Sequence, residues 1–232
     1  MTFVFEPEPM TTIPVAGSSE LFPVRRIYCV GRNYAAHIRE MGFEPSRESP
    51  FFFCKPADAI VAVPSGGTGT IEYPSRTENL HYEIELVVAI GRQARDIAVE
   101  SANDHIFGYG VGIDMTRRDL QLEARDRGRP WEVGKAFDQS APIGPLYRSA
   151  DVGHLKSGAI WIQVDGEDRQ RSDLSNLIWS VPEIVANLSQ LFELRPGDLI
   201  FTGTPDGVGP VIGGQTMRSG IDGLGELIVA VA

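Results

Sequence analysis

The run His81-Tyr82-Glu83-Ile84-Glu85-Leu86-Val87-Val88 alternates polar and apolar residues before turning wholly apolar, a pattern that predicts a strand entering a core. Residues i and i+2 of a strand share a face, so Glu83 and Glu85 are expected side by side. A second strand-like run over 106–115 carries Asp114 near its end, within Gly-Val-Gly-Ile-Asp-Met. Shorter strands are predicted over 26–30, 51–54 (buried), 198–203 and 226–231. Residues 60–80, punctuated by Pro64, Gly66, Gly67, Gly69 and Pro74, predict short strands with turns. A short helix is expected over 34–41 with Gly42 as its stop, and a charged helix over 117–127 ended by Gly128 and Pro130. Residues 159–165 and 167–171 predict a hairpin around Asp165-Gly166. Ser180-Val181-Pro182-Glu183 is a capping box that opens a helix with Ile184, Val185, Leu188, Leu191 and Phe192 on one apolar face. Residues 1–24, rich in Pro, Thr and Ser, predict an N-terminal arm or edge strand ahead of a single domain over 25–232. Many short strands and few helices predict an α+β fold, mostly β, built on a mixed sheet rather than on regular βαβ units.

The chain of 232 residues is long enough for a sizeable core. With 42% hydrophobic residues it reads as globular. Its 21 basic and 31 acidic residues give a net charge of -10, which argues against nucleic acid and anionic membranes as partners. An anionic substrate then requires cations placed locally. Cys29 and Cys54 are the only cysteines. They are too few for a disulfide framework and are expected as core thiols. Neither a signal peptide nor an apolar run of membrane-spanning length is present, so a cytoplasmic location is expected and the Asn187-Leu188-Ser189 sequon reads as chance.

Three carboxylates at apolar strand positions repel one another and lose solvation unless a cation lies between them. Glu83, Glu85 and Asp114 therefore predict a site for a hard divalent cation, Mg²⁺ or Mn²⁺. The alternative is a Glu-x-Glu on the wet face of an edge strand. His37 and Glu40 lie three apart on the first predicted helix, a spacing that lets a carboxylate orient an imidazole as general base; a solvent-exposed pair fits the same spacing. Arg118 and Gln121 share a helix face just after Asp114 and suit a carboxylate, or belong to a salt-laced surface helix. Lys135 interrupts an apolar loop, either to neutralise an enolate or as a surface lysine. The glycine-rich loop 203–210 lacks the Gly-Lys-Ser/Thr of a phosphate loop. Gly108, Gly110 and Gly112 fall inside a strand, where a dinucleotide fingerprint does not belong, and are expected to let backbone approach closely near the metal. No Gly-x-Ser-x-Gly elbow is present.

Together the Gly-Arg-Asn-Tyr start with its His-x-x-Glu, the His-Tyr-Glu-Ile-Glu strand, Gly-Ile-Asp-Met-Thr-Arg-Arg-Asp, Lys-Ala-Phe-Asp and Phe-Thr-Gly-Thr-Pro-x-Gly-Val-Gly-Pro resemble the fumarylacetoacetate hydrolase family over about nine-tenths of the chain. The resemblance implies a mixed β-sandwich roll, a homodimer, and Mg²⁺ or Mn²⁺ on Glu83, Glu85 and Asp114. It implies a water-activating dyad at His37 and Glu40, and substrate contacts from Arg118, Gln121, Lys135 and Thr204. Residues 22–27, 41–45 and 50–58 are similar to the bacterial branch of that family that hydrolyses fumarylpyruvate late in gentisate breakdown. The implied substrate is a small anionic 2,4-dioxo acid, cleaved at a C–C bond to pyruvate and an acid. Oxaloacetate decarboxylation and cleavage of other acylpyruvates are the alternatives. The stretch 42–50 is expected to order over the site as a lid.

Overall fold

A computed structural model describes residues 2–42, 44 and 47–232. Two sheets dominate it. The larger runs, edge to edge, through Phe51–Lys55, Ile27–Gly31, Leu199–Phe201, Ile84–Ile90, Ile106–Ile113, Ala141–Ile143 and Ile60–Ala62, with Tyr147–Arg148 also on Ile106–Ile113. The smaller orders Glu167–Asp173, Ala159–Val164, Thr216–Ile221, Glu226–Val231 and Thr68–Ile71. Both are mixed: Leu199–Phe201 runs parallel to Ile27–Gly31, and Glu226–Val231 parallel to Thr68–Ile71. This is the mostly β fold on mixed sheets that the strand pattern predicts, in the sandwich form that the family resemblance implies.

The strand Ile84–Ile90 is buried along its whole length, and its two faces serve different cores. Ile84, Leu86, Val88 and Ile90 point between the sheets, where they meet Ile160, Ile162, Val164, Met217 and Val229. Val87 and Ala89 point the other way, into a second core with Cys29, Leu199 and Phe201. The hairpin Thr12–Pro14/Leu21–Pro23 closes that second core with Ile13, Val15, Phe22 and Val24. Period two then places Glu85 on the Val87 face, at the end where the apolar side chains stop.

Several expectations require correction. The strand Phe51–Lys55 is not buried: Phe51 and Cys54 are exposed and only Lys55 is enclosed. Cys29 is a core thiol and Cys54 is not. In the helix Val181–Leu191, Ile184, Val185 and Leu188 are buried, whereas Leu191 and Phe192 are exposed because the chain leaves the core at the helix end. The single strand expected across Glu83 is two, Leu80–Tyr82 and Ile84–Ile90, and they belong to different sheets. Of the strand glycines, Gly108 admits neighbouring backbone as expected, whereas Gly112, paired with Glu85, admits side chains. A Cβ on Gly108 would lie 2.0 Å from the Tyr147 carbonyl oxygen, and one on Gly112 would lie 2.6 Å from Val87 Cγ2 and 2.7 Å from the Phe201 ring. Lys135 stands on a short helix, Glu132–Lys135, not in a loop.

Candidate metal centre and catalytic pocket

Glu83 occupies the break between Leu80–Tyr82 and Ile84–Ile90, and Asp114 follows directly on Ile106–Ile113. The two positions are locked together, because Ile84 pairs with Ile113 and the Asp114 N–H donates to the Glu83 carbonyl at 2.8 Å. One carboxylate oxygen from each of Glu83, Glu85 and Asp114 lies within 4.8 Å of the others. All three residues are buried, which removes the wet-edge alternative.

The acids are met by cations. Lys135 Nζ donates to Glu83 Oε2 at 2.7 Å, Asp114 Oδ2 at 2.8 Å and Thr116 Oγ1 at 2.7 Å. The Arg118 guanidinium donates to Glu83 Oε1 and to Gln121 Oε1. Lys55 Nζ stands 2.8 Å from Asp114 Oδ1, yet that oxygen is buried without an aligned hydrogen bond. The Gly203 N–H donates to Glu85 Oε2 at 2.7 Å. Burial alone would raise Glu83, but Lys135 and then Arg118 outweigh it and hold its carboxyl below the usual range. Glu85 goes the other way, raised well above that range by burial, then by Asp114 and Glu83. Burial would lower Lys135, and Asp114 and Glu83 more than offset this, so its ammonium is held above the ordinary value.

Convergent carboxylate oxygens, one of them without a hydrogen-bond donor, fit a hard divalent cation. Glu83, Glu85 and Asp114 would hold it. A bound divalent ion would polarise a coordinated oxo group and act as a template for a chelating substrate.

His37 Nδ1 lies 3.1 Å from Glu40 Oε2, while Glu40 Oε1 accepts the Gly207 N–H at 2.9 Å. Glu40 would be raised by its partial burial, but the His37 hydrogen bond and then the Gly207 N–H lower it, so it stays a carboxylate. His37 is buried at 8% exposure, unlike a surface pair. It lines one pocket with Glu83, Arg118, Gln121, Lys135, Arg32 and Trp131. Arg118 and Gln121 are likewise buried, so their helix turns this face to the site. Thr204 is buried but does not line that pocket; its hydroxyl accepts from Gln170 Nε2 at 2.9 Å.

Sequence reasoning left four participants unassigned: Lys55, Asn33, Gln170 and His81. Gln170 also accepts the Ile84 N–H at 3.0 Å, between the two glutamates. Asn33 donates to the Thr202 and Trp179 carbonyls at 2.8 and 3.0 Å, which ties the start of the His37 helix to the strand beside Glu85. Burial and then Arg118 push His81 down to about 4. Neutral, it can accept from Arg118 Nε on Nδ1 and donate to Asn79 through Nε2. A lysine closing the apolar run 51–54 was the available signal for Lys55, whereas Gln170 lies in the polar run Glu167–Asp173 and had none. Of the expected lid, residues 43, 45 and 46 lie outside the described residues. Arg47 packs 4.4 Å from the Trp179 ring and pairs with Glu183.

A mixed β-sandwich with a buried carboxylate triad defines the class of protein. The chain belongs to the fumarylacetoacetate hydrolase family, whose model, described as fumarylacetoacetate (FAA) hydrolase C-terminal, matches residues 26–232. A crystal structure of fumarylpyruvate hydrolase from Pseudomonas aeruginosa in complex with Mn²⁺ and pyruvate superposes with a TM-score of 0.98, at 63% identity over 100% of this chain and 99% of that one. A fumarylpyruvate hydrolase of Ralstonia sp is 43% identical over 81% of this chain and 95% of its own length. A mitochondrial oxaloacetate decarboxylase of Dictyostelium discoideum is 42% identical over 86% of this chain and 90% of its own.

Proposed function

We propose that the protein is a metal-dependent hydrolase that cleaves the C–C bond of an acylpyruvate, with fumarylpyruvate as substrate and fumarate and pyruvate as products. The observation that carries this reading is the placement of His37, braced by Glu40, in one pocket with Glu83, Arg118, Gln121 and Lys135. Likeness to the Pseudomonas and Ralstonia enzymes supports the choice of acyl group. Charge supports it too. With a divalent ion bound, Glu83, Glu85 and Asp114 as carboxylates would balance the three buried cations Lys55, Arg118 and Lys135. The ion then leaves two positive charges, which suit a substrate with two carboxylates.

In this reading His37 takes a proton from water through the ring nitrogen that Glu40 does not hold. The hydroxide adds to the C4 carbonyl carbon. The C3–C4 bond breaks with its electron pair going to C3, and the Lys135 ammonium neutralises the resulting pyruvate enolate. Protonation at C3 gives pyruvate, and C4 leaves as the carboxylate of fumarate. Arg118, Gln121 and Thr204 hold the substrate. Residues 25–232 form the catalytic domain behind an arm over 1–24, a division supported by the family match from residue 26. The protein acts as a cytoplasmic homodimer in the gentisate branch of aromatic catabolism; no helix among the described residues is long and apolar enough to cross a membrane.

Oxaloacetate decarboxylation is the second reading, favoured by the Dictyostelium relative. It would use the same enolate clamp without an attacking water. Fumarylpyruvate, acetylpyruvate and oxaloacetate supplied in parallel with Mg²⁺ separate the two. Fastest turnover of fumarylpyruvate is expected; turnover of oxaloacetate alone would replace the hydrolase reading with the decarboxylase.

A further inference from the structure

Asp114 stands between two buried lysines, one at each oxygen. Lys135 Nζ is 2.8 Å from Oδ2 and Lys55 Nζ is 2.8 Å from Oδ1. The two differ in what else they touch. Lys135 lines the pocket with His37 and Arg118, and Lys55 does not. The Lys55 side chain is fully enclosed, with 0% exposure. Its ammonium donates to the Met115 carbonyl at 3.2 Å and to the backbone carbonyl of Lys135 itself. Ser140 Oγ donates to that same carbonyl at 3.2 Å. Lys55 thus ties together the segment that carries Asp114 and the helix end that carries Lys135, while standing outside substrate reach.

We propose that Lys55 is a positioning residue for the reaction: it fixes the backbone from which Lys135 reaches Glu83 and Asp114, and supplies a standing positive charge to Asp114. A lysine suits this role because one compact ammonium can donate to two carbonyls while its charge stands beside a carboxylate. The arrangement divides labour between the lysines. Lys55 is held by groups that do not change during turnover, which leaves Lys135 available to the substrate. This inference rests on the role proposed above for Lys135.

The test uses the full chain loaded with Mn²⁺. Lys55→Met keeps length and apolar bulk but removes charge and donors. Its thermal unfolding, its Mn²⁺ dissociation constant from the free-ion electron paramagnetic resonance signal, its affinity for pyruvate by calorimetry, and its kcat and KM are compared with wild type. A group displaced by about 1 Å loses roughly 10²-fold in rate; kcat at saturating Mn²⁺ is expected to fall on that scale, with pyruvate binding weakened and Mn²⁺ still bound. Ser140→Ala, which removes only the second donor to the Lys135 carbonyl, is expected to lower kcat in the same direction by a smaller factor. It decides the matter should Lys55→Met fail to fold. Wild-type kcat and pyruvate affinity in a folded Lys55→Met, or in Ser140→Ala where the first variant does not fold, would overturn the proposal. Oxaloacetate turnover by the wild type in place of hydrolysis would instead overturn the hydrolase reading and leave this comparison intact, since both reactions place Lys135 beside the same enolate.

Discussion

At the scale of single residues, the site works by giving chemically similar groups different surroundings. Glu83 is held ionised by Lys135 and Arg118, whereas Glu85 is raised by burial and its acidic neighbours. His37 is braced by Glu40, whereas His81 is kept neutral by burial and Arg118. Two predictions belong here. His37→Ala should lower kcat by about 10²–10⁴-fold, the usual worth of a general base, while calorimetry shows an unchanged Mn²⁺ affinity; undiminished hydrolysis would remove the assigned role. For His81 the folded value of about 4 lies below the ordinary 6.5. Between those values the unfolded chain binds a proton that the folded chain does not, so this residue makes stability fall as pH drops from about 6.5 towards 4. His81→Asn should flatten that part of the profile in urea unfolding of chelator-treated protein. Equal slopes in the two proteins would show that His81 does not titrate in this way.

At the scale of elements, the dyad stands on the helix Ala35–Glu40 and the triad on and beside the strands Ile84–Ile90 and Ile106–Ile113, and Asn33 joins them. Its amide serves Thr202 and Trp179 on one side, and its carbonyl accepts the Trp179 N–H at 2.8 Å on the other. Asn33→Ala leaves buried polar groups unpaired, which costs about 1–3 kcal/mol. It should also lower kcat by shifting the His37 helix while the Mn²⁺ dissociation constant holds, measured as denaturant midpoint, rate and calorimetry. A loss of stability with full kcat would confine Asn33 to the fold. Local signals read this level well where the chemistry is local. The Asp165-Gly166 turn forms with φ of 50° and 82° at its two residues, and Ser180 N and Oγ both meet Glu183 Oε2. The strand Thr216–Ile221 left no such trace. Its buried Ser219 and Gly220 interrupt the apolar pattern and are accommodated by the Leu227 carbonyl and the Trp161 ring. The break at Glu83 was equally silent, because it is set by pairing with Thr116–Arg117 and Gly209–Pro210, far away in sequence.

At the scale of the whole molecule, the carboxylates sit where the second core ends, so a sheet buried on both faces delivers charge to a pocket. The ligand positions were legible because acids are conspicuous in apolar strands. The cations around them were less so: Lys55 comes from an edge strand whose other residues are partly or fully exposed, and only the folded sheet shows that it reaches Asp114. The proposed homodimer predicts a sedimentation mass twice the chain's 25.4 kDa; a mass of one chain at working concentration would contradict it. The most direct test of the central claim is the loss of ultraviolet absorbance of fumarylpyruvate, followed with Mg²⁺ and then with excess chelator. Rapid loss that yields fumarate and pyruvate, and stops on chelation, is the predicted result. Absorbance that persists with Mg²⁺ present, or a loss that chelator leaves untouched, would contradict a metal-dependent acylpyruvate hydrolase.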